Sequence, residues 1–246
     1  MMKASISVLT IAVIVGVVGA IPHGVMATTI TYDFAGVVSG DEALGASHTY
    51  TAAGGPDITA VSGSYAQSGT GTPMAGDAFS PGGQLVGNNR GSDGMGVGVC
   101  FGNGCNHGHI DDNPEIDASG REAVRLDITN LLSNFNSFTI GTDSATAGEL
   151  LGIFAGDATG TTFAVKLGDA TGLGGSILVG PTSDFLFLVA DNTTNSGADV
   201  LLQSLTVTPN ATPEPTSLAL LGTAILAVAL IGRRHRTRDG IISPVG

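Results

Sequence analysis

Hydrophobic and polar residues alternate with a period of two along much of the chain, in segments short enough to be strands. Ile30, Tyr32 and Phe34 are separated by Thr31 and Asp33. Met95, Val97, Val99 and Phe101 alternate with Gly94, Gly96, Gly98 and Cys100, the cleanest such pattern in the sequence. Glu122, Val124, Leu126 and Ile128 interleave with Ala123, Arg125 and Asp127, and Phe138 and Ile140 with Ser137 and Thr139. Phe163, Val165 and Leu167 interleave with Ala164, Lys166 and Gly168, while Ile58 to Ala66 is a weaker version of the same pattern. Successive side chains of a strand point to opposite faces, so this period predicts half-buried strands. Leu150 to Ala155 is nearly all apolar and Phe185 to Ala190 wholly so; strands of that kind lie centrally, buried on both sides. Val200 to Val207 follows a polar turn over residues 191 to 199. The breaks are rich in Gly, Asn, Asp and Pro, the residues of tight turns. About nine strands without helical rhythm between them predict an all-β body, and a jelly-roll-like β-sandwich is the first expectation. Residues 67 to 93, dominated by Gly, Ser, Thr, Pro, Asn and Asp, read as a long loop or flap.

The two ends break this pattern. Lys3 precedes an apolar run, Ile6 to Ile21, which Pro22 and Gly24 interrupt before Val25-Met26-Ala27. A positive start, a short apolar core and small residues at the break predict a signal peptide over residues 1–27, cleaved after Ala27. Toward the other end, Ser217 to Gly232 is sixteen residues without a charge. As a helix it is about 24 Å long, short of the ~20 residues of a relaxed span. Snorkelling arginines and local thinning of the bilayer let such a segment insert. The expected organisation is therefore a signal peptide, an extracytoplasmic all-β domain over 28–211, a sorting and anchoring segment with a single transmembrane helix over 212–238, and a cytoplasmic tail over 239–246. Arg233, Arg234 and Arg236 follow the apolar run as its stop, and they place its far end in the cytoplasm.

Charge narrows the partners. Between Thr28 and Thr212 there are four basic residues (Arg90, Arg121, Arg125 and Lys166) against nineteen acidic ones. An acidic surface repels phosphate, so nucleic acid is not an expected partner. It suits an exported protein or one that meets divalent cations.

Pro213-Glu214-Pro215 stands directly ahead of the apolar run. Proline fixes its own φ and biases the preceding residue to extended conformations, so Thr212 and Glu214 are held out of a helix. The order Pro-Glu-Pro, apolar helix, Arg cluster resembles the PEP-CTERM sorting signal of Gram-negative bacteria. The resemblance covers about thirty residues. It implies recognition and processing by an exosortase, a membrane transpeptidase-like cysteine enzyme. It also implies a precursor held in the inner membrane, a final place at the cell surface or in the extracellular matrix, and exopolysaccharide as a partner. A looser resemblance to the middle of some exported proteins with this signal rests on Gly96 to Val99, Ile116-Asp117 and Glu122 to Ile128, and supports the fold alone.

The body offers two candidate chemistries. Cys100 and Cys105 are the only cysteines and are separated by Phe101-Gly102-Asn103-Gly104. In an exported chain an even count predicts a disulfide; a metal pair with His107 and His109 is the rival, although its spacing is not a usual zinc spacing. Asp111, Asn113, Glu115 and Asp117 place oxygen donors at alternate positions, a candidate calcium ligand set, though without the EF-hand glycine and glutamate. A solvated acidic loop is the plainer account of the same residues. Gly-x-Ser-x-Gly, phosphate-loop and His-Glu-x-x-His motifs do not occur. The expectation is a non-enzymatic structural or adhesive protein. A calcium-dependent carbohydrate-binding module is the alternative and a secreted glycoside hydrolase the next.

Overall fold

The computed structural model describes residues 28–36, 42–66, 72–89, 94–101, 115–118, 121–143, 149–171, 175–180, 183–191, 199–210 and 221–228. The chain divides into two compact units, Ala27–Asn210 and a second made of Met1–Met26 with Ala211–Gly246.

In the larger unit the strands are β1 (Ile30–Asp33), β2 (Glu42–Gly45), β3 (Ser47–Tyr50), β4 (Ile58–Tyr65), β5 (Phe79–Pro81), β6 (Gln84–Asn89), β7 (Met95–Cys100) and β8 (Ile116–Asp117). They continue with β9 (Glu122–Asp127), β10 (Phe135–Asp143), β11 (Leu150–Gly156), β12 (Phe163–Thr171), β13 (Ser176–Val179), β14 (Phe185–Ala190) and β15 (Asp199–Pro209). Among the described residues they form two antiparallel sheets in a sandwich-like arrangement. An eight-stranded sheet runs β13-β10-β15-β7-β6-β2, with β1 and β8 also paired to β15. A seven-stranded sheet runs β12-β11-β14-β9-β4-β3, with β5 paired to β4. Each strand expected from the hydrophobic pattern is present. The wholly apolar Phe185–Ala190 lies inside its sheet between β11 and β9, as its two apolar faces require.

The core between the sheets takes alternate residues from both. Tyr32, Phe138, Ile140, Leu202, Leu205 and Val207 come from one, and Ile58, Leu126, Ile153, Leu186 and Leu188 from the other. The intervening residues of β14 do not face solvent. Phe187 and Val189 join Tyr65, Phe79, Ala123, Phe154 and Phe163 in a second apolar cluster on the outer face of the seven-stranded sheet. Within residues 67 to 93, which read as a loop, the described part forms two strands, one in each sheet. β5 contributes Phe79, and β6 inserts between β7 and β2 with Asn88 fully buried. Gln84–Asn89 carries only two apolar residues, Leu85 and Val86. Its strand conformation comes from the ladder to β7, from Gln84↔Cys100 to Asn89↔Met95, and not from its own propensity.

Strand β12 departs from the simple alternation in a consequential way. Its register on β11 shifts twice, between Ala155↔Val165 and Gly156↔Phe163, and between Ile153↔Gly168 and Phe154↔Lys166. Each shift is a β-bulge, in which one extra residue resets the alternation of faces that follows it. Phe163, Lys166 and Asp169, three apart in sequence, therefore oppose Gly156, Phe154 and Gly152 and share the outer face. Val165, expected on the same face as Phe163, is more than half exposed.

The β11–β12 connection is fixed by one carboxylate. Asp157 Oδ1 accepts the backbone N–H of Thr161 at 2.8 Å and of Thr162 at 3.2 Å, and Oδ2 accepts the Thr159 hydroxyl at 2.8 Å. Gly160 closes the turn at φ +64, where a Cβ would meet the Phe185 ring at 2.7 Å. The Thr161 N–H, joined by the Thr159 and Thr162 donors, outweighs desolvation and holds the Asp157 carboxyl well below the usual carboxylate range. A depressed folded pKa contributes stability above the unfolded value, ~3.9, and that stability is lost as pH falls through the folded pKa. Asp157→Asn is expected to lower the thermal midpoint at neutral pH and to narrow its gap from the wild-type protein in acid. Parallel melts at neutral and acidic pH check this.

Candidate functional site

In the smaller unit the described residues are 221–228, a helix α1 whose side chains are exposed throughout. It lies inside the apolar run read as a membrane helix. Among the described residues no helix is long and apolar enough to cross a membrane. The processing residues Pro213, Glu214 and Pro215, the stop residues Arg233, Arg234 and Arg236, and the expected signal peptide lie outside the described residues.

The candidate calcium set is divided. Asp111 and Asn113, like His107 and His109, lie outside the described residues. Glu115 is buried, and its carbonyl accepts the Val99 N–H at 3.3 Å. The next residues pair with β15, Ile116 with Val200 and Asp117 with Asp199. Ile116 enters the core, and the Asp117 N–H donates to Glu122 Oε2 at 2.9 Å. Among the described residues no three His, Cys, Asp or Glu side chains are grouped to hold a metal ion. Cys100 ends β7 beside this loop and is not a free thiol; Cys105 lies outside the described residues.

The densest described polar constellation is one that the sequence pattern did not single out. On the outer face of the seven-stranded sheet, Lys166 Nζ on β12 ion-pairs with Asp169 Oδ1 at 2.6 Å and with Asp191 Oδ2, just past the end of β14. The Thr72 hydroxyl donates to the other oxygen, Asp191 Oδ1, and the Asp169 and Asp191 carboxyls share the one ammonium. Asp191 is 1% exposed, whereas Lys166 retains about a third of its side-chain exposure. Strand β11 lies between β12 and β14, and Gly152 provides the lane across it. A Cβ there would stand 2.9 Å from Asp191 Cβ and 3.0 Å from the Phe154 ring. The Phe154 ring lies beneath the ammonium, 6.0 Å from its centroid to Nζ.

Burial competes with the partner charges at each member of this trio. It resists ionisation of both acids. At Asp169 burial wins over the attraction of Lys166, and its pKa is raised. At Asp191 the Lys166 ammonium and the Thr72 hydroxyl win, and its pKa is lowered. Burial would discharge Lys166, but its two carboxyl partners raise its pKa instead. Lys166 is the only lysine between Thr28 and Thr212, which is the one hint the sequence offers. Asp191 and Thr72 are distant from it in the chain, and Asp169, three residues on, shares its face only through the bulges of β12.

Nearby, the Arg125 guanidinium lies 5.4 Å from the Phe79 ring centroid and 5.3 Å from that of Phe185. Its Nη1 donates to the Gly160 carbonyl at 2.8 Å. The stem and rings cover the outer cluster, so this basic residue acts as packing, not as an anion site.

No curated protein matches the chain, and no solved structure does. The sorting segment does match: residues 211–236 fit the PEP-CTERM protein-sorting motif, and with it come export, a membrane-anchored precursor and processing by an exosortase. The chain is an all-β protein that carries a PEP-CTERM sorting signal.

Proposed function

We propose that this is a non-enzymatic structural or adhesive protein of the cell envelope or extracellular matrix, a jelly-roll-like sandwich delivered by its sorting signal to the exopolysaccharide layer. The signal peptide over 1–27 starts export, and the apolar run through α1, stopped by Arg233, Arg234 and Arg236, spans the inner membrane until processing. A Cys100–Cys105 disulfide pins the turn after β7. The observation that carries this reading is the sorting motif joined to an acidic sandwich. A structural role is supported by the seven-stranded sheet, which is packed on both faces, by the inter-sheet core and by the outer aromatic cluster.

The test is fractionation of cells that make the polysaccharide into membrane, surface and matrix pools. The protein is expected in the surface or matrix pool, and its deletion is expected to weaken cell–cell cohesion while polysaccharide yield is unchanged. A protein found only in the cytoplasm, or unaltered cohesion, overturns the reading. Calcium distinguishes the binding-module alternative. If calcium raises the thermal midpoint of the purified protein, and Asp111→Ala or Asp117→Ala abolishes the rise, the calcium-dependent glycan module replaces the structural one.

A further inference from the structure

Two features of the outer-face trio are not needed for an ion pair. A single carboxylate neutralises a lysine, yet here a second carboxyl is held within 2.6 Å of the same Nζ. The paired carboxylate is also gripped from its far side by a hydroxyl. Taken as a reacting group, the arrangement is a nucleophile, an acyl carbon with one oxygen toward the amine and the other held by a donor, and a second acid paired to the same amine.

We propose that Lys166 and Asp191 condense to an intramolecular isopeptide bond, with Asp169 as the proton shuttle and Thr72 as the donor to the developing oxyanion. Asp169 hands its proton to Asp191 Oδ2 and takes one from Nζ, which leaves a neutral amine facing a neutral carboxyl. The nitrogen lone pair attacks Cγ, and charge gathers on Oδ1, where the Thr72 hydroxyl donates. A second Nζ proton passes through Asp169 to Oδ2, the Cγ–Oδ2 bond breaks, and water leaves. The ammonium and carboxylate become one amide and one water, Asp169 is regenerated, and no oxidant or external acyl donor enters. The fold supplies the proximity that lets an amine and a carboxylic acid join without activation. The bulges of β12 bring Lys166 and Asp169 to one face, and Gly152 leaves the lane open.

The bond would tie β12, the edge strand of its sheet, to the end of β14 across β11, so that the edge cannot peel away independently. It stands on the geometry of the sandwich and does not depend on the sorting signal.

The test is the mass of the mature protein recovered from cells, measured after reduction of disulfides. The expected protein is lighter by one water than its sequence. Trypsin, which needs a free lysine, is expected to yield no fragment ending at Lys166, and fragmentation is expected to locate the link between Lys166 and Asp191. Lys166→Arg is expected to restore the full mass. Asp169→Asn, which keeps the size of the side chain, is expected to restore it too while circular dichroism shows an intact fold. A wild-type mass equal to the sequence mass, or a water lost elsewhere in the chain, overturns the proposal. Loss of water retained in a folded Asp169→Asn protein overturns the role of Asp169.

Discussion

Replacing Pro213, Glu214 and Pro215 together by alanine is expected to leave full-length protein in the inner membrane, with little or none reaching the surface or the medium. The physical ground lies in the backbone. Proline fixes its own φ and biases the residue before it away from helix, and an extended, unfolded strand is what a processing enzyme can bind along its length. Alanine is the best helix former, so the substitution lets the helix propagate backward through the site and removes the one acidic side chain there. A folded helix hides the scissile backbone in its own hydrogen bonds. The change lies outside the sandwich unit, Ala27–Asn210, so the precursor should keep its β-sheet circular dichroism and its melting behaviour. Immunoblots of membrane and surface fractions read the outcome, and unchanged processing would remove the motif from the account.

Phe187→Ala carries the largest expected loss of stability. Phe187 is fully buried on the outer face of β14, with its ring stacked on Phe163 at 4.4 Å between centroids and tilted against Phe79 at 5.1 Å. Truncation of a buried phenylalanine costs about 3–5 kcal/mol in transfer and cavity terms, against a total stability of about 5–15 kcal/mol for a domain. At about 2–4 °C per kcal/mol for a domain of this size, the thermal midpoint should fall by on the order of 10 °C. The apolar surface of Leu178 is two-thirds exposed on the edge strand β13, and Leu178→Ala is expected to change the midpoint by no more than a degree or two. Equal losses in the two variants would mean that the outer aromatic cluster contributes no packing.

The contrast between these positions shows what the sequence could and could not express. The strands were legible because their patterns are local. Phe185–Ala190 announced a strand buried on both sides, and it lies inside its sheet. What covers its second face was not legible, because Phe79 belongs to a stretch whose Gly, Ser and Asn content reads as loop and whose strands exist only through pairing with β4 and β7. β12 misled in the opposite way. Its alternation is real in the sequence, but two bulges reset the face, bringing Lys166 and Asp169 together and taking Val165 off the face of Phe163, where it is more than half exposed. Bulges answer to the partner strand, so no reading of Phe163 to Thr171 alone places them. The Lys166–Asp191 contact also reaches from β12 across β11 to the residue after β14, and β12 and β14 are not neighbours. The sorting signal was legible for the converse reason. It works as an ordered string of chain properties (stiff break, apolar run, positive stop), and such properties do not wait for a fold.

The most direct test of the account is the C-terminal residue of the protein recovered outside the cell, determined by mass spectrometry in cells with and without the exosortase. Processing at the motif predicts an extracellular form that ends ahead of helix 221–228 and lacks Arg233, Arg234 and Arg236, together with full-length protein retained in the membrane when the exosortase is absent. An extracellular protein that still ends at Gly246, or the same shortened form in cells without the exosortase, would contradict it.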